Sequence, residues 1–179
     1  MSETTYSQIP DYPQQYSAGA VLGRMVDGIG FRYRWATEGL SENDLSYKPC
    51  DSSRSISETL HHVHNLLEMV HTTITDQRYN LPEANKGYQF QELRQETLNM
   101  IAQISDQFKS ASDDTIDEMS IKFKMGEQDL DFPMWNVING PVSDILHHIG
   151  QIVGYRRASG NPIAEGVNPF IGQRMVEAA

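Results

Sequence analysis

The chain has 179 residues, 39% of them hydrophobic and 21% charged, with a formal net charge of −10. That length fits one domain spanning 1–179 that folds without disulfide staples, and the one cysteine, Cys50, can form no internal disulfide, which fits a reducing, cytoplasmic setting. The acidic balance disfavours nucleic acid and anionic membranes as partners, the N-terminus lacks the basic start and apolar run of a signal peptide, and no stretch nears the roughly 20 apolar residues of a membrane span.

Residues 1–16 are polar and contain Pro10 and Pro13, so they read as an extended arm or a short turn onto the domain. From about Ser17 to Gly39, Leu22, Met25, Val26, Ile29, Tyr33, Ala36 and Leu40 recur at steps of three and four, the period of an amphipathic helix. Gly19, Gly23, Gly28 and Gly30 weaken it intrinsically, so packing must hold it. SENDLSYKPCDSSR reads as a polar loop. A second helix starts at Ser55, which with Glu58 has the spacing of a capping box, each side chain capping the other's backbone N–H. Ile56, Leu60, Val63, Leu67, Val70 and Ile74 then step by four and three, as in a bundle seam. DQRYNLPEANKG breaks the period, and a third helix covers Tyr88 to Ser110 through Phe90, Leu93, Ile101, Ile104 and Phe108.

SASDDTIDEMS is an acidic turn region. In IKFKMGEQDLDF, Ile121, Phe123 and Met125 alternate with lysines before Gly126, the pattern of a small β-hairpin or an irregular excursion. The fourth helix runs from Phe132 or Met134 to Ser159, with Trp135, Ile138, Val142, Ile145, Ile149 and Ile152 as its core stripe. Pro141 should kink or divide it, and Gly160-Asn161-Pro162 stops it. Residues 163–179 form a tail expected to pack through Phe170 and Ile171. Four long amphipathic segments with little strand signal predict an all-α four-helix bundle.

All six histidines fall on helices 2 and 4: His61, His62, His64 and His71, then His147 and His148. Asp144 and His148 are four apart, so they lie on one helix face, and Gln151 and Tyr155 extend the same stripe. Two imidazoles and a carboxylate with one open position make a catalytic metal site. On helix 2, His62 borders one flank of the apolar stripe while His64 and His71 border the other, and periodicity does not choose between them. The competing reading of Asp144–His148 is a surface ion pair worth about 0.2–0.5 kcal/mol.

Arg54 and Arg156 are candidates to hold a substrate carboxylate, although Arg156 and Arg157 also suit the C-terminal dipole of helix 4. Gly150-x-x-x-Gly154 fits a close helix–helix or dimer contact. Glu58-x-x-His61 and Asp144-x-x-His147 mimic the elements of a di-iron carboxylate bundle, with Asp27, Glu92 and Glu96 as the further carboxylates it needs. A third reading is a non-catalytic binding or dimerisation module whose metal site has decayed.

SISETLHHV (55–63) and GPVSDILHHIGQIVGYRRASGNP (140–162) resemble the DinB/YfiT-like superfamily of metalloenzymes. In that family a helix 2 histidine follows S-I-x-E-x-L-x-H, here His62, and the last core helix carries H-x-x-x-H-x-G-Q, whose second histidine is His148 and whose Gly-Gln is Gly150 and Gln151. Its first histidine falls on Asp144, a departure that keeps a competent ligand, adds a negative charge and favours a harder ion. The resemblance implies an up-down-down-up four-helix bundle, often dimeric. It implies a divalent metal (zinc, nickel, iron or manganese) on His62, Asp144 and His148, with Gln151 and Tyr155 orienting the reacting ligand. It further implies a small-molecule substrate and a transfer or isomerisation that uses a low-molecular-weight thiol; metal-bound water as the nucleophile would instead make the chain a hydrolase.

Overall fold

A computed structural model of the protein describes residues 5–80, 87–125 and 127–175. The fold is mostly helical, in keeping with the expectation, with a three-stranded sheet built on the expected hairpin and a separate two-stranded one that the sequence did not signal. Its four long helices are α1 (Ala18–Thr37), α3 (Ile56–Ile74), α4 (Phe90–Ser110) and α7 (Ser143–Ser159). α1 and α3 each pack on both α4 and α7. The apolar stripes converge on one core that includes Leu22, Ile29, Leu60, Leu67, Ile101 and Ile145. No helix among the described residues is long and apolar enough to cross a membrane.

The glycines of α1 are explained by close approach. A Cβ on Gly19 would overlap the Phe108 carbonyl of α4, so its absence lets the two backbones meet. Gly30 makes room for the Tyr6 ring, which a Cβ would meet at 2.6 Å. Tyr6 is buried, and the arm lies along α1: Trp35 Nε1 donates to the Ser7 carbonyl at 3.3 Å and Arg24 to that of Pro10 at 2.6 Å. Residues 1–4 of the arm lie outside the described residues.

Two short helices occupy segments the sequence marks as loop and turn. α2 (Glu42–Ser46) has its own capping box, Ser41 with Asp44, and α5 (Asp113–Glu118) is capped by Ser112. The strand pattern yields a hairpin, β2 (Ser120–Met125) antiparallel to β3 (Gln128–Pro133), with Gly126 outside the described residues. β1 (Arg78–Tyr79) adds in parallel to β2, so part of DQRYNLPEANKG is strand; residues 81–86 lie outside the described ones.

The expected fourth helix is divided. β3 runs into α6 (Met134–Val137), a π turn (Ile138–Val142) follows, and α7 then begins. Gly140 leaves helical geometry at φ −91° and ψ −108°, in keeping with the bias against the α region that the following Pro141 imposes. Relative to Ile145, an unbroken helix would place Trp135 about 80° away, at the edge of the core stripe. A π turn carries one residue more, or about 100°, and puts it on the opposite face. Trp135 is accordingly 74% exposed, and Met134 and Val137 are buried in its stead. The tail also departs from expectation. β4 (Val167–Asn168) pairs with β5 (Gln173–Arg174) around a turn that leaves Phe170 95% exposed. What holds the tail is the backbone bond from Ile9 N–H to the Gly172 carbonyl, 2.8 Å, and Arg174 over the Trp35 ring. Residues 176–179 lie outside the described ones.

Candidate metal centre

Two helix starts fix the positions of the candidate ligands. In α3 the capping box forms: Ser55 Oγ accepts from Glu58 N–H at 3.1 Å and Glu58 Oε2 from Ser55 N–H at 2.7 Å. In α7 the π turn is tied by Ser143 Oγ, which donates to the Ile138 carbonyl at 2.7 Å. α3 packs on both α7 and the π turn.

His62, Asp144 and His148 meet where those helices cross. Asp144 Oδ2 lies 3.5 Å from His62 Nε2 and 3.4 Å from His148 Nε2. The two imidazole rings stand edge to face with centroids 4.6 Å apart. One ligand atom from each residue lies within 4.8 Å of the others, so the cluster can hold a metal ion. Ligands at about 2.0–2.1 Å from a tetrahedral ion stand about 3.4 Å from one another, which matches the two measured separations.

Neighbouring groups prepare both imidazoles. The Gln151 amide N–H donates to His147 Nε2 at 3.0 Å, which leaves Gln151 Oε1 to accept from His148 Nδ1–H at 2.8 Å. That bond fixes the tautomer in which His148 Nε2 carries a lone pair towards Asp144. Burial first, then the charge of the neighbouring Arg54, push the His62 pKa below its usual value against the pull of Asp144. His62 is therefore neutral at pH 7 and ready to ligate.

The other histidines separate cleanly. His64, on the far flank of α3, is buried against α4 with Nδ1 2.9 Å from Thr97 Oγ1. His61 is half-buried and its pKa is also lowered by burial, while His71 sits in the last turn of α3. Of the remaining expected site residues, Gln151 touches the cluster and Arg54 is exposed but close enough to act on His62 through its charge. Tyr155 is half-buried with its ring 6.1 Å from that of Tyr47.

Arg156 is committed elsewhere. It is 2% exposed, donates through NH1 to the carbonyls of Trp35, Ala36 and Glu38, and through Nε to that of Asn161. It satisfies the open carbonyls at the end of α1, so no free donor is left for a substrate carboxylate. Gly150 and Gly154 are exposed, with nothing packed where a Cβ would stand. The di-iron reading loses two carboxylates: Glu58 to its capping box and to Lys48 at 3.1 Å, Asp27 to Lys109 Nζ at 2.7 Å.

An open cavity of about 470 Å³ adjoins Asp144, walled by Leu66, Asn139, Pro141 and His147. Asn139 carries no signal of its own in the sequence. His147 stands out in the sequence as one of the clustered histidines and in the di-iron pattern, and its place in the His-His pair sets it beside a ligand on the same helix. No family profile, curated protein or solved structure matches the chain.

Proposed function

We propose that this chain is a mononuclear metal-dependent enzyme of the DinB/YfiT-like kind, acting on a small molecule by hydrolysis or by transfer to or from a low-molecular-weight thiol. The observation that carries the reading is the convergence of His62, Asp144 and His148 on one point beside an open cavity. Packing supports it: the long helices follow one another around the core as α1, α4, α3, α7, an arrangement suited to an up-down-down-up four-helix bundle. A divalent cation on those three residues would supply Lewis acidity at its open position.

The protein's own groups do the rest. Gln151 aims the His148 imidazole, burial and then the Arg54 charge lower the His62 pKa, and Arg54 offers a guanidinium for an anionic group on the substrate. Asp144 in place of an imidazole offsets one charge of the cation and favours a harder ion such as manganese or iron over a soft one.

Elemental analysis of the purified protein should return one divalent metal per chain, with His148→Ala and Asp144→Ala reducing it to background. Full metal content in both variants overturns the assignment. Turnover of small thiols with electrophiles, lost in the same two variants, tests the reaction class.

A further inference from the structure

A second cleft, away from the histidines, lies between the start of α1, α5 and α6. It encloses about 480 Å³, a volume suited to a small organic ligand. Its floor is apolar and buried, formed by Leu22, Ile116 and Met134. Its rim carries Trp135 and Tyr16, the latter 98% exposed, together with the carboxylates of Asp113 and Asp117.

Three features of that rim select the ligand. No lysine, arginine or histidine lines the cleft. Asp113 uses Oδ1 to accept from the Ala18 N–H at 2.8 Å, and Asp117 has no hydrogen bond or ion pair among the described residues, so the lining of the cleft holds negative charge without a counter-charge of its own. Aromatic faces beside a carboxylate without a counter-charge attract organic cations, because ring quadrupole and carboxylate pull the same way. The adjoining cavity shares Tyr16 and Val21 with this one, and there the chain seats a cation of its own on the arm, the Arg24 guanidinium 4.7 Å from the centre of the Tyr12 ring. A second copy of this chain fits less well, since two-fold pairing through this face would set the acidic α5 helices against each other.

We propose that this cleft binds small amphiphilic cations, the apolar body on Leu22, Ile116 and Met134 and the ammonium head between the Trp135 ring and the Asp117 carboxylate. The proposal is independent of the metal centre, and its test is made in chelator.

Octyltrimethylammonium should bind saturably by calorimetry, with a matching change in tryptophan fluorescence. Its affinity should exceed that of octanoate at least about tenfold. Asp117→Asn, at an exposed position without partners among the described residues, should lower the affinity about three- to tenfold and flatten its dependence on salt. Trp135→Ala should abolish the fluorescence response and weaken the calorimetric binding. Equal affinity for the two amphiphiles, no saturable binding, or sedimentation showing that Trp135 is covered by a second copy would each overturn the proposal.

Discussion

Two aspartates at opposite sides of the helical core show how the same group serves two ends. Asp27 is 1% exposed on α1 and is answered from within the chain: Ser105 Oγ donates to its Oδ1 at 2.6 Å and Tyr6 Oη at 3.2 Å, and Lys109 Nζ, 2.7 Å from Oδ2, brings the compensating charge. Asp144 is 43% exposed on α7 and faces two imidazoles, one of them held neutral by burial and Arg54. The first cluster is closed and ties the arm and α4 to α1. The second has lone pairs converging and no ammonium among its members. The presence or absence of an internal cation, more than the number of polar groups, separates a structural cluster from a binding one.

The sharpest way to break this contrast is to neutralise each acid in turn. Asp27→Asn strands Lys109 and the donors around it and should cost about 2–4 kcal/mol in urea unfolding. Asp144→Asn, measured in chelator, should cost no more than about 0.5 kcal/mol. Equal losses would erase the distinction.

The next test concerns the aim of the open cluster. Gln151→Leu removes the acceptor that holds His148 Nδ1–H and should weaken divalent-metal affinity about 10- to 100-fold by calorimetry, with the fold intact. An unchanged affinity would mean that the amide does not orient the imidazole.

The smallest effect is electrostatic and lies at the start of α3. The Ser55 backbone N–H, then Lys48 and the Ser55 hydroxyl, hold the Glu58 carboxyl down from 4.5 to about 2. A depressed folded pKa stabilises the native state above the unfolded value and loses that effect as pH falls towards the folded one. The thermal-midpoint gap between wild type and Glu58→Gln should therefore be full at pH 7 and close between about 4.5 and 2. A gap that persists in acid would show packing, not charge, to be what Glu58 contributes.

Much of the helical frame is legible in the sequence, because local rules and burial agree there. The Ser55–Glu58 box starts α3 where expected, and Ile56, Leu60, Val63, Leu67 and Val70 are all buried. The acid–imidazole pair on α7 is legible for the same reason, being set by helical spacing alone. The flank of α3 is not: His64 is withdrawn by Thr97, a partner 33 residues away that no periodicity reveals, and only the resemblance of a short motif pointed to His62. Arg156 is misread for a similar cause, its acceptors lying about 120 residues upstream at the end of α1. Trp135 fails differently, since counting a constant period through Asn139-Gly140-Pro141 assumes a regular turn where the chain makes a wider one.

That wider turn gears two parts of the molecule together. Five residues, Ile138–Val142, set the rotation between α6, which displays Trp135, and α7, which displays Asp144 and His148. Loss or gain of a single amino acid there would swing one display by roughly 100° against the other, burying an indole or scattering a ligand set. A stretch that looks like a tolerant connector is thus a part whose length is as constrained as that of any core helix.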